Sequence, residues 1–112
     1  PEWVLGKVRH KAARFKQPVV GCLGITFKAD VDDVRESPAL EIVRALHKEE
    51  GMEVLVNDPF ASPLKEFDLL AVDDVLQRAD IILVLVDHKP YRKLSAASLK
   101  EKIVIDTRGM LV

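Results

Sequence analysis

A single cysteine, Cys22, stands among 112 residues, which excludes an internal disulfide and fits a reducing, cytoplasmic setting. No apolar stretch approaches the roughly 18 residues that would mark a membrane span. No charged leader with a cleavage site opens the chain, so it reads as soluble and unexported. A formal net charge of −1 gives no electrostatic case for nucleic acid or an anionic membrane, and any anion site has to be local. The three histidines share no metal-ligand spacing. Internal repeats and low-complexity linkers are also missing. So is the fingerprint G-x-G-x-x-G: Gly21 and Gly24 fall inside the apolar run 19–26, and the turn after it is long and polar. A dinucleotide therefore cannot sit on this chain in the usual manner, and the glycines are expected to permit close packing beneath the strand.

What is present is an ordinary globular composition, 48% apolar and 31% charged, in a length that suits one domain with a real core. Run 19–26 reads as a strand buried on both faces of a parallel sheet. Ser37 then offers a capping oxygen, Pro38 suits the first helical position, and Ala39, Ile42, Val43 and Leu46 form one apolar helical face. Gly51 supplies a stop. A second strand is expected over 53–57, ended by Asp58 and Pro59, and 68–72 reads as a brief strand or a loop approach. Asp73 is expected to cap a helix over 74–79. Asp80 marks a turn before a central strand over 81–86, 91–100 looks helical, and a last strand covers 103–105.

Strands alternating with helices imply right-handed crossovers and a Rossmann-like α/β fold in three layers, with strand order 2-1-3-4. The opening segment reads as a cationic helix without a start signal, with Trp3, Val4, Val8 and Phe15 at helical spacing. Its uncapped entry suggests a piece of a longer polypeptide; a native N-terminal helix packed on its own sheet is the other reading.

The chemistry is expected in the segment 27–37, F-K-A-D-V-D-D-V-R-E-S, which leaves the carboxyl end of the first strand, where open α/β sheets bind ligands. Lys28 follows that strand end and can project toward a phosphate as a compact charge. Arg108 follows the last strand, and its fork can grip phosphate bidentately. The expected strand order lets both serve one diphosphate, unless each is taken up by a neighbouring carboxylate such as Asp106. Arg35 can tie down the acidic loop through Asp32 or Asp33.

A calcium loop starting at Asp30 fails, because Val34 occupies a ligand position, Arg35 stands where the sharp turn needs glycine, and Pro38 starts a helix inside it. No metal site is expected. Cys22, inside a buried strand with no adjacent base, reads as core. His88 either touches a ligand across the switch point or caps its strand end, and Asp58 is expected to stabilise the turn before Pro59.

The stretch V-G-C-L-G-I-T-F-K-A-D-V-D-D-V-R-E-S-P-A-L-E-I resembles the opening of the C-terminal domain of the UDP-glucose/GDP-mannose dehydrogenase family. The later L-V-D-H at 85–88 and I-D-T-R-G at 105–109 most resemble the UDP-N-acetyl-D-mannosamine dehydrogenases within it. The resemblance implies that 18–112 is a UDP-binding domain and that 1–17 ends a central helix from a middle domain. It implies substrate contacts from Phe27, Lys28 and Arg108, and a contact from Arg35 to NAD held mainly by an N-terminal domain.

The whole enzyme, by resemblance a homo-oligomer, would oxidise the C6 alcohol of a UDP-hexose to a carboxylate in two NAD-dependent steps through a cysteine thiohemiacetal. UDP-N-acetylmannosamine is the expected substrate, giving a uronic acid for surface polysaccharide. The family's nucleophilic cysteine lies in the middle domain and is not Cys22, so no catalytic residue is expected in this chain, which should bind without turnover. The competing reading is a free-standing nucleotide-sensing module. A phospho-acceptor signalling domain ranks last, because Lys28 intrudes where an acidic pair would be needed.

Overall fold

Alternation along the strands sends successive side chains to opposite faces of a sheet, and both faces of this one are covered. The computed structural model describes residues 2–110. Four strands, β1 (Val19–Leu23), β2 (Glu53–Asn57), β3 (Ile81–Val84) and β4 (Ile103–Asp106), form one parallel sheet in the order β2-β1-β3-β4, the order expected from the sequence. Val20, Cys22, Ile81, Leu83 and Ile105 point to one face, where they pack with helices α1 (Glu2–Ala12) and α2 (Pro38–His47). Leu23, Leu55, Ile82 and Val84 point to the other, against α3 (Val72–Arg78) and the ring of Tyr91. A 3₁₀ turn (Lys89–Lys93) and a single helical turn, α4 (Ala96–Leu99), lead into β4. The result is the expected three-layer α/β fold. No helix among the described residues is long and apolar enough to cross a membrane.

Several boundaries differ from the expected ones for local reasons. β1 stops at Leu23, so Gly24 lies past the strand rather than within it, at φ +95°, with its N–H still bonded to Asn57 O. A Cβ there would fall 2.6 Å from that of Val86. Gly21 does lie inside β1, and a Cβ on it would meet Val75 Cγ1 at 2.5 Å, so its bare backbone lets α3 approach. β3 ends at Val84, because Leu85 and Val86 both turn their N–H groups to Leu23 O. Of residues 68–72, Leu69 makes one bridge to Val56, 70–71 run as loop, and Val72 already opens α3.

Ser37 caps α2 as expected, accepting from Leu40 N–H, with Pro38 opening the helix. α2 ends at His47, and Gly51, at φ +85°, serves the turn into β2 instead of stopping the helix. Asp73 does not cap α3. Ala71 holds that position with its backbone carbonyl, and Asp73 and Asp74 lie in the first turn, where the helix dipole favours their charge. The expected helix over 91–100 is broken because Leu94 and Ser95 are extended, and Ser95 then caps α4 through Ser98 N–H.

The face of α1 is also rotated from the expected stripe. Val4, Leu5, Val8 and Ala12 are buried, whereas Trp3 is 64% exposed and Phe15 lies half-buried beyond the helix end. Burying each of those larger aliphatic side chains contributes roughly 1.5–3 kcal/mol, so the helix is integral to the core of this chain.

Candidate nucleotide site at the carboxyl edge of the sheet

All four strands end on the same edge, and the segments leaving them meet there. Thr26 and Phe27 follow β1, Leu85 and Val86 follow β3, and Thr107 and Arg108 follow β4. These segments, with Pro38 and Ala39 at the start of α2, line a cleft of about 250 Å³. The floor is apolar, made by Leu85, Val86 and Ile42, and the rim is polar. The amino end of a ten-residue helix adds its partial positive charge to this opening.

Of the expected substrate residues, the fold brings Phe27 and Arg108 to the lining of this one cleft. Phe27 is 51% exposed, an unusual position for a large apolar ring. Its backbone N–H donates to Asp33 O at 2.6 Å, which fixes where the ring stands. Arg108 is aimed by an Asx turn in which Asp106 Oδ1 accepts from the N–H groups of Arg108 and Gly109 at 3.0 and 2.8 Å. Thr107 is tied to Val84 O through its hydroxyl at 2.7 Å. The Arg108 guanidinium lies beside Asp87, with Nε 3.7 Å from Oδ1, while Asp106 Oδ1 receives the arginine backbone N–H. Lys28 does not line the cleft. It is exposed beside Phe27, and its ammonium has no hydrogen-bond or ion-pair partner among the described residues.

Arg35 stands apart from these groups, its side chain 87% exposed. It forms a fork with Asp33, Nε to Oδ1 and Nη2 to Oδ2 both at 3.0 Å, and its backbone N–H also donates to Asp33 Oδ1. The guanidinium holds the Asp33 carboxyl below the usual carboxylate range. Asp33 thus takes the loop-tying role that the sequence left open between Asp32 and Asp33. Phe27 borders both the cleft and the hollow beside Arg35.

Behind the loop lies a buried polar cluster that sequence reasoning only half found. Asp58 follows β2 and is 5% exposed. Its Oδ1 accepts from Phe60 and Ala61 N–H, the turn-stabilising role expected before Pro59, and its Oδ2 accepts from Ile25 N–H at 2.8 Å. Oδ2 also takes a hydrogen bond from His88 Nε2 at 2.8 Å. Burial alone would push this carboxyl up; the bonds from His88, Ile25 and Phe60 outweigh it and hold Asp58 below the usual range.

His88 is fully buried, which makes it a tie at the strand end with no surface to offer a ligand. Only the D-P pair after β2 and the polar end of L-V-D-H hinted at this cluster. The apolar floor of the cleft carried no signal, because Leu85 and Val86 read as strand.

Cys22 is buried and its thiol is pushed up to about 12 by desolvation, as a core residue should be. Tyr91 is likewise pushed up by burial, and its hydroxyl donates toward the Asn57 carbonyl and side-chain oxygens.

Comparison with known proteins places this edge in context. The family model for the UDP-glucose/GDP-mannose dehydrogenase family, UDP binding domain, matches residues 21–112. The chain is 46% identical over 98% of its length to an NDP-N-acetyl-D-galactosaminuronic acid dehydrogenase of Ralstonia solanacearum. It is 32% identical, again over 98% of its length, to a UDP-N-acetyl-D-mannosamine dehydrogenase of Yersinia pestis. Among solved structures, the UDP-N-acetyl-mannosamine dehydrogenase Cap5O from Staphylococcus aureus superposes with a TM-score of 0.87 at 29% identity over 99% of the chain. The chain spans 27% of the length of the Ralstonia relative and 27% of that Cap5O chain. By the reach of the family model, this chain belongs to the UDP-glucose/GDP-mannose dehydrogenase family, within its UDP binding domain.

Proposed function

We propose that this chain grips the UDP moiety of a UDP-sugar for an NAD-dependent 6-dehydrogenase whose remaining domains carry the chemistry. The observation that carries the reading is the cleft at the carboxyl edge of the sheet, where Phe27, Arg108 and the amino end of α2 converge. A ring, a bidentate cation and a helix dipole are the parts that a base and a diphosphate require. Lys28, exposed beside Phe27 and without an ion-pair partner among the described residues, adds a charge at the rim.

Arg35 sits on the outer side of the same loop, available to a cofactor held by a neighbouring domain once it exchanges its fork with Asp33. Its fork geometry fits a phosphate or amide oxygen of NAD. NAD, when bound, would accept the hydride from C6. This chain would contribute orientation: nucleotide affinity, spent remote from the reacting carbon, holds the sugar in place.

For the sugar, our reading is UDP-N-acetylmannosamine. The Ralstonia relative, at 46% identity, is named for a galacto-configured product, so the manno and galacto substrates must be compared directly. We place residues 1–17 as the end of a connecting helix, 18–112 as the nucleotide domain and the enzyme in the cytoplasm.

The test is a titration of isotope-labelled chain with UDP and, separately, NAD, following backbone amides. Saturable UDP shifts at Lys28 and Arg108, with little response to NAD, are expected. No UDP response from either this chain or the full-length protein would overturn the reading. Turnover of UDP-N-acetylgalactosamine in preference to UDP-N-acetylmannosamine by the full-length enzyme would overturn the sugar assignment alone.

A further inference from the structure

The geometry assigns His88 a task beyond filling the core: we infer that it is the positioning residue that presents Phe27 and Lys28 to the nucleotide. The inference rests on the UDP reading above. The backbone N–H of Asp30 donates to His88 Nδ1 at 2.8 Å, so that nitrogen carries no hydrogen and the ring hydrogen resides on Nε2. From there it is directed at Asp58 Oδ2, at 2.8 Å, with Thr26 Oγ1 at 3.2 Å as a second acceptor. The Thr26 hydroxyl in turn donates to Lys28 O at 2.9 Å.

Asp30 closes the clasp from its other end, its Oδ1 accepting Lys89 N–H at 2.7 Å. It also holds a left-handed φ of +60°, a turn conformation that aspartate accommodates. Phe27 and Lys28 lie on the arc between the Thr26 and Asp30 attachments, and both attachments converge on one buried imidazole. The ring faces Phe60 and Tyr91 and is 0% exposed, so its effect on a ligand has to pass through the loop.

The two ring nitrogens have different jobs, and two substitutions separate them. His88→Asn places an acceptor oxygen near the position of Nδ1 and can keep the Asp30 N–H while losing the donor to Asp58. His88→Gln keeps a donor for Asp58 and loses the Asp30 clasp. His88→Asn removes the Nε2 bond to Asp58 and the longer one to Thr26, and His88→Gln removes the Asp30 bond alone, so a purely structural histidine would make Asn at least as damaging to UDP affinity as Gln.

A loop released from its bound conformation weakens apparent affinity by the fraction of competent conformers; losing one such hydrogen bond corresponds to about fivefold. UDP titration of the chain should therefore show Gln weaker by about fivefold and Asn within about twofold of the unmutated protein. On the unmutated, ligand-free chain, a scalar coupling across the N–H···N bond between the Asp30 amide and His88 Nδ1 should be visible by NMR.

Absence of that coupling, or equal weakening by the two variants, would overturn the inference even if neither variant proved stable enough for fine comparison. If neither the unmutated chain nor the full-length protein binds UDP while the coupling is present, the clasp is real, but the functional reading and the positioning role both fall.

Discussion

Lys28 and Asp58 are the residues on which the molecule can be tested atom by atom, one exposed and one buried. Lys28 has no ion pair among the described residues, so replacing it should leave folding nearly unchanged and act on the ligand. In the full-length enzyme, Lys28→Ala should lower kcat/KM for UDP-sugar by about tenfold or more, at least roughly 1.4 kcal/mol. Steady-state kinetics at low substrate checks this, and unchanged kinetics would remove Lys28 from the site.

Asp58 should behave in the opposite way. Its folded pKa lies below its ordinary value of 3.8, so its contribution is complete above that value and is lost as pH falls through the folded one. Asp58→Asn should therefore cost about 1–3 kcal/mol at neutral pH, where a buried charge-assisted network is broken. The gap between variant and parent should narrow in acid, because the parent carboxyl is then protonated too. Urea denaturation at neutral pH and near pH 3 measures both ends; a gap that widens in acid would show that the sign is wrong.

Among the elements, α2 depends on a single side chain at its start. Ser37 Oγ accepts from Leu40 N–H while its hydrogen is shared between Ile25 O at 2.8 Å and Thr26 O at 3.1 Å, so one hydroxyl fastens the helix to the segment leaving β1. Ser37→Ala should cost about 1–2 kcal/mol, measurable by denaturation, with faster amide exchange at Leu40; a loss of only a few tenths would mean the cap is dispensable. The cap itself was legible in the sequence, as were the strand order and the burial of Cys22, because each is set by near neighbours or by an apolar run; the tie from Ser37 to Ile25 and Thr26 was not. Gly21 was legible for the same reason.

What escaped depends on partners far along the chain. His88 finds Asp58 across 30 residues, and nothing local distinguishes a histidine that ends a strand from one that contacts a ligand. The cap of α3 escaped because a backbone carbonyl did the work that an aspartate could have done. The rotation of α1 away from Trp3 was fixed by the surface of α2 beneath it. In the site itself, the fold brought Phe27 and Arg108 to one cleft but left Lys28 on the rim, a distinction of side-chain direction that spacing does not carry.

At the scale of the whole molecule, the core crosses the boundary expected between residues 17 and 18. Val4, Leu5 and Val8 belong to the same buried cluster as α2 and the sheet, and at roughly 1.5–3 kcal/mol each they match much of the 5–15 kcal/mol typical of a domain. A chain shortened to 18–112 should therefore unfold at markedly lower denaturant than the full 112 residues, and equal midpoints would show α1 to be a passenger.

The parallel sheet has a further consequence, in time. β1 sits in the middle and pairs Val19 with Glu53 and Val20 with Ile81, so its partners arrive late in the chain and no short hairpin can hold it meanwhile. The central strand is made early and must wait, apolar and unpaired on both edges, until much of the chain has emerged. Sluggish refolding, and clumping when refolding is crowded, are the kinetic signature expected of that wait.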